Sequence, residues 1–182
     1  MYIPWLFLII IAVWLIATYN SLIRSRNRAD EAWSDIEVQL KRRYDLIPNL
    51  VSTVQGYAAH EKQVFENVTQ ARSQAMSATA PADRLQKENM LSGALKSLFA
   101  VAENYPELRA NQNFLSLQGD LTDTENKIQA ARRFYNGNVR DFNTKIQVFP
   151  TNFIAGFLHF HPREFFDIDE KGPEGQPVAV KF

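Results

Sequence analysis

From Ile3 to Tyr19 the chain carries no charged residue, and its apolar side chains follow one another without the polar gaps of an amphipathic helix. At a rise of about 1.5 Å per residue this run nearly crosses a hydrocarbon layer of about 30 Å, and Asn20 to Ile23 complete it. Apolar residues on every side argue for a helix surrounded by lipid rather than one face of a soluble domain. Trp5 and Tyr19 stand near its ends, where amphipathic aromatics favour the membrane interface. A cleaved signal peptide is the competing reading. The segment lacks a basic leader and shows no small-x-small cleavage site after its apolar core.

Beyond residue 23 the pattern changes to apolar positions at three- and four-residue steps. One series runs Trp33, Ile36, Leu40, Tyr44, Ile47, Val51, Val54, Ala58 and resumes at Phe65, Val68 and Ala75. This is helix periodicity and not strand alternation. Pro48 falls within it and is expected to kink the helix or weaken one turn by about 3 kcal/mol. Gly56-Tyr57 and His60-Glu61 offer a turn, but the stripe keeps its phase, so one helix to about Ala78 and two helices both fit. Thr79 to Asp83 is a break, and Asp83 with Gln86 has capping-box spacing. A third face follows at Leu85, Met90 or Leu91, Leu95, Leu98 and Val101 or Ala102. Pro106 suits the first turn of a last long helix, with Leu108, Leu115, Leu121, Ile128, Tyr135, Val139, Phe142, Ile146 and Phe149 on one side and Pro150 as its stop.

With a turn near Tyr57 the helices are about 20–57, 60–79, 82–103 and 106–149. The expected fold is then all-α: a transmembrane helix followed by an antiparallel up-and-down four-helix bundle with long first and last helices. The corresponding domains are an anchor at 1–23, a bundle at 24–149, an aromatic amphipathic segment at 150–168 and a disordered tail at 169–182, where Pro173, Gly175 and Pro177 cluster.

Charge adds orientation. No Lys or Arg precedes the span, whereas Arg24, Arg26 and Arg28 follow it, so the N-terminus is expected outside and the rest in the cytoplasm. The same arginines can meet anionic headgroups. Twenty basic residues balance twenty acidic ones, which gives nucleic acid no electrostatic attraction. The chain has no cysteine, excluding disulfides, thiol catalysis and Cys-type zinc sites.

The search for chemistry yields little. A di-metal bundle needs Glu-x-x-His, but Tyr57, Gly156 and Leu158 stand three residues before His60, His159 and His161. No phosphate loop, His-Glu-x-x-His or nucleophile signature is present. Neither catalytic residue, metal nor cofactor is therefore expected. The pair His159-x-His161 reads as interfacial or exposed rather than metal-binding. Glu125 and Arg132, with Asn111 upstream, lie on the last apolar stripe and read as a structural polar layer that fixes register. Arg42, Arg43 and Asp45 near Pro48 read as a solvated face, with a partner contact as the alternative. Phe153, Ile154, Phe157, Leu158 and Phe160 form the sharpest signal, too apolar to be left in water. They can cover the bundle base, contact another subunit or lie in the membrane interface.

Several segments carry a family resemblance. They are Tyr19-Asn20-Ser21-Leu22-Ile23, Arg42 to Val51 around Asp45-Leu46-Ile47-Pro48-Asn49-Leu50, Tyr105 to Asn111, Thr124 to Asn136, and Phe149-Pro150-Thr151-Asn152. In order, from residue 1 to about 166, they resemble the LemA family, while 167–182 match no segment of it. The resemblance implies a cytoplasmic antiparallel four-helix bundle behind one span, and so a turn near Tyr57. It implies no defined activity.

The expected function is a non-enzymatic, single-pass scaffold or self-associating module at the bacterial inner membrane. Its partners would be lipids around the span, further copies of itself or other membrane proteins. The alternative is a lipid-binding or membrane-shaping protein using Arg24, Arg26, Arg28 and the segment Phe153 to Phe160. An enzyme is the remaining possibility, and Glu125 and Arg132 would then be its most exposed claim.

Overall fold

The computed structural model describes residues 2–166. Six helices account for most of them: α1 (Ile3–Gln55), α2 (Lys62–Ser77), α3 (Pro81–Glu103), α4 (Pro106–Arg109), α5 (Gln112–Gln147) and α6 (Thr151–Phe157), with no strand among the described residues. The expected tail at 169–182, with the last two residues of the aromatic segment, lies outside them.

The apolar run and the first amphipathic stripe form one helix of 53 residues, which continues through Pro48. Its N-terminal part is long and apolar enough to cross a membrane, and its large side chains from Ile3 to Ile16 are exposed rather than packed. That pattern fits a membrane location. A turn follows α1, as the two-helix reading requires: the N–H groups of Tyr57 and Ala58 both bond the carbonyl of Val54.

Contacts divide the chain into two compact units, one of residues up to Ile36 with Ala131–Phe165, the other built on Glu37–Ala130. Helices α1 and α5 each supply part of both.

In the second unit α2 and α3 pack as a hairpin. Arg84 holds its turn by donating to the Ala78 carbonyl at 2.9 Å and pairing with Glu37 of α1 at 2.8 Å. The expected capping box is not formed. Ala80 is the cap and Pro81 opens the helix, so Asp83 sits in the first turn without a capping hydrogen bond, favourable to the helix dipole alone. Buried Leu40, Ile47, Val54, Phe65, Val68, Leu85, Leu91, Leu95 and Leu98 follow the predicted stripes, but after Pro48 Leu50 is fully buried where the stripe was placed on Val51, which is only partly buried.

The expected helix 106–149 is divided. After the single turn of α4 the chain restarts at Asn111, whose Oδ1 accepts the N–H of Phe114 at 3.1 Å, an N-cap for α5. This restart shifts the phase, so Phe114 is buried and Leu115, placed in the stripe from sequence, is exposed. Farther along, Leu121, Ile128, Tyr135, Val139, Phe142 and Ile146 are buried as expected, and Phe149 is not.

In the first unit α1 and α5 run antiparallel. Leu22 packs with Phe142 and Ile146, whereas Trp33 meets Tyr135 with ring centroids 5.2 Å apart. The chain after α6 is strapped along them. Asn143 and the backbone of Arg163 exchange two hydrogen bonds of 2.9 Å, Arg163 pairs with Asp30 at 2.6 Å, and the Tyr135 hydroxyl donates to the Glu164 carbonyl. Burial raises the Tyr135 phenol above its ordinary value, so it stays protonated and remains a donor.

Candidate functional site

Two places stand out, one charged and buried, the other apolar and exposed. The first lies in the second unit. Arg43 and Glu88 keep only 5% and 6% of their surface, although charged residues are seldom so enclosed. Arg43 occupies the apolar stripe of α1 between Leu40 and Ile47, and Glu88 that of α3 between Leu85 and Leu91, so both helices turn the charge inward with their leucines.

The guanidinium is 3.3 Å from Glu88 and 3.2 Å from Glu125 of α5, and donates to the Ser92 hydroxyl at 2.7 Å. The other oxygen of Glu88 accepts the hydroxyl of Tyr44. Burial pushes the Glu88 carboxyl above its ordinary value, against the lowering pull of the Tyr44 hydrogen bond and the Arg43 charge. Tyr44 is held well above the usual phenol range by its own burial and then by Glu88. It therefore serves as a donor and not as a base. The arrangement is suited to joining α1, α3 and α5 in one register.

Pro48 adds a fourth helix. Proline has no N–H, so the carbonyl four residues earlier, on Tyr44, loses its helical partner. Arg72 of α2 replaces it, donating Nε–H at 2.7 Å. The irregularity near Arg42, Arg43 and Asp45 is thus answered from within the chain. Outside this core, Arg42 lies 3.6 Å from both Asp120 and Asp123.

The polar layer expected from sequence is built differently. Glu125 belongs to it, but at the rim, with 41% of its side chain exposed, and its partner is Arg43. Arg132 is half-buried and falls in the other unit. Asn111 is the cap of α5, and its amide donates to the Tyr57 hydroxyl at 3.0 Å, tying that turn to the start of α5. The reading of Arg43 as solvated is corrected in the same way. The missed signal was phase: a charged residue in step with leucines on each of two helices, opposite in sign.

The second place lies in the first unit. Ile154 and Phe160 pack on Leu22, Phe142, Ile146 and Ala155, and the Phe160 ring takes the guanidinium of Arg26 at 5.8 Å from its centroid. Phe149, Phe153 and Phe157 stand on the opposite side, 78%, 70% and 83% exposed. Left in water, each forgoes about 1.5–3 kcal/mol of burial. Beside them a groove of about 500 Å³ runs between α6 and Leu15, Ile16 and Tyr19 of α1. Leu158 forms part of its wall. Of the interface residues named from sequence, Trp5 and Tyr19 are exposed on the apolar helix, and Arg24, Arg26 and Arg28 are exposed just after it.

His159 closes α6. Its φ of 56° lies in the left-handed region, and the N–H groups of His159 and Phe160 bond the carbonyls of Gly156 and Ala155. This is a Schellman cap with histidine where glycine is usual. His161 takes no part in it.

Protein LemA of Metamycoplasma hominis is 30% identical over 155 residues, covering 83% of this chain and 69% of the relative. Magnetosome protein MamQ 2 of Paramagnetospirillum magneticum and magnetosome protein MamQ of Magnetospirillum gryphiswaldense are each 23% identical over 192 residues, covering 91% of this chain and 70% of the relative. The family model for LemA matches residues 32–182, and so includes the C-terminal stretch in which sequence reading found no resemblance. On this match and the similarity to Protein LemA, the chain belongs to the LemA family.

Proposed function

We propose that this protein is a non-enzymatic, single-pass protein of the bacterial inner membrane whose helical region works by binding. Its N-terminus lies outside and the remainder in the cytoplasm, where α1, α2, α3 and α5 make an up-and-down four-helix bundle. The region acts as a scaffold, associating with itself or with other membrane proteins.

The observation that carries this reading is the use made of the buried charges. Arg43, Glu88, Tyr44, Ser92 and Arg72 direct their hydrogen bonds at one another and at the backbone, and Glu125 joins them from the rim while accepting from Gln129 of its own helix, so that four helices are linked. Such a network supports fixed register more readily than turnover, which needs groups turned toward a substrate. Protein LemA and the MamQ proteins are not named for a reaction, in keeping with a binding role. Native mass of the full-length protein in nanodiscs tests the proposal. A discrete assembly of several copies, or a defined co-purifying membrane protein, is expected. A bare monomer from native membranes, with no protein retained, contradicts it.

A second reading, a lipid-responsive protein, is favoured by the exposed phenylalanines beside the apolar helix. It differs in placing the partner in the bilayer.

A further inference from the structure

The segment 149–163 follows α1, and its chemistry changes in step with that helix. Opposite Leu15, Ile16 and Tyr19 it presents Phe153, Ile154 and Phe157 across the groove. Opposite Arg26 it presents the ring of Phe160. Opposite Asp30 it presents Arg163. The order is apolar, then aromatic with a cation, then ion pair, which is the order of environments met on leaving a bilayer.

The depth follows from lengths. A span of about 20 residues beginning at Ile3 ends near Leu22. Leu15, Ile16 and Tyr19 then lie within the hydrocarbon edge, and so must the side chains that face them. Ile154, Phe160, Phe142, Ile146 and Leu22 pack in one buried cluster, which fixes α6 against α1 at this level. The exposed Phe149, Phe153 and Phe157 follow at steps of four on the side away from that cluster.

On these grounds we infer that α6 is a second membrane attachment: its phenylalanine ridge is immersed in the inner leaflet, and a phospholipid acyl chain occupies the groove of about 500 Å³ between α6 and the span. Arg26, held over Phe160, lies at headgroup depth. The inference rests on α1 being a span and gives the lipid-responsive reading its contact surface.

The test places a tryptophan on the ridge of the full-length protein in nanodiscs whose phospholipids carry bromine on their acyl chains. Phe157→Trp is made in a chain with Trp5→Phe and Trp14→Phe, and the signal of the remaining Trp33 is subtracted. Trp14 in a chain with Trp5→Phe serves as the reference within the span, and Phe134→Trp, on an exposed position of α5, in the chain with Trp5→Phe and Trp14→Phe as the reference in water, each after the same subtraction of Trp33. Brominated lipid is expected to quench Trp at 157 at least about half as strongly as Trp14, and iodide to quench it several-fold less than Trp at 134. Quenching by iodide and not by brominated lipid places the ridge in water and overturns the inference. Quenching by neither means that protein covers the ridge, which also overturns it and assigns α6 to a subunit contact. Failure of brominated lipid to quench Trp14 removes the span itself, a failure distinct from that of α6 alone.

Discussion

Pro48 and Arg72 form a pair whose energies can be worked from the structure. A proline in a helix interior costs about 3 kcal/mol relative to alanine, in part by leaving one carbonyl without its donor. Here that carbonyl belongs to Tyr44, and the Arg72 side chain supplies the missing hydrogen bond at 2.7 Å. A hydrogen bond to a charged group contributes about 1.5–3 kcal/mol, so Arg72→Met should destabilise the native chain by that amount. Pro48→Ala returns an N–H to the same carbonyl and should stabilise by about 1–2 kcal/mol, less than the full proline cost because Arg72 already offsets part of it. In the Pro48→Ala background the carbonyl keeps one donor when Arg72 is removed, and Arg72→Met should cost only about 0.5–1 kcal/mol. The coupling between the two sites is therefore about 1–2 kcal/mol. Thermal melting followed by far-ultraviolet circular dichroism in detergent measures it, since 1 kcal/mol moves Tm by about 2–4 °C in a domain of this size. Effects that add within about 0.5 kcal/mol would refute the reasoning, because Arg72 would then not be standing in for the lost helix bond.

Arg43→Met leaves Glu88 buried without its cation and should destabilise by about 3–5 kcal/mol at pH 8, while adding Glu88→Leu should recover most of the loss; a double variant no better than the single one counts against a buried pair. Because the folded-state pKa of Glu88 is raised from its ordinary 4.5, its favourable contribution is complete below that value and is lost as pH climbs through the raised one. Glu88→Gln should flatten that part of the stability profile, and an unchanged slope would place the titration elsewhere. His159→Gly relieves a left-handed backbone at the end of α6 and should raise stability by about 1 kcal/mol; a loss instead would mean that the contacts of the imidazole Nδ1 with the Gly156 and Phe157 carbonyls outweigh that relief. Asn111→Ala removes the cap of α5 and should cost about 1 kcal/mol in thermal unfolding, whereas no change would mean that water caps that end equally well.

How far the sequence could be read depended on the range of the interaction. The break before Pro81 and the buried stripes through Leu40, Ile47 and Leu98 follow from local periodicity and turn chemistry and appear where expected, whereas the turn after Gln55 was left open by a stripe that keeps its phase and was implied by the family resemblance. Leu115 failed because the phase of a helix depends on where it starts. Asn111 restarts the chain after α4, and the stripe then passes through Phe114. The polar layer failed for a different reason. Spacing along α5 shows only which residues share its face, and the partner of Glu125 is on α1. Glu88, the buried acid, was legible as a charge in phase with Leu85 and Leu91, but only Arg43 on another helix makes that position tolerable. The groove between α6 and the apolar part of α1 needed tertiary structure, because it joins two stretches from opposite ends of the chain.

The proposed function requires α1 to cross the membrane once, with the N-terminus outside. The absence of native cysteine makes this directly measurable by single-cysteine labelling of intact cells with a membrane-impermeant thiol reagent. Tyr2→Cys should be labelled from outside, and Leu115→Cys, exposed on α5, only after the inner membrane is opened. Labelling of Leu115→Cys in intact cells, or protection of Tyr2→Cys together with release of the protein from membranes by carbonate, would contradict it.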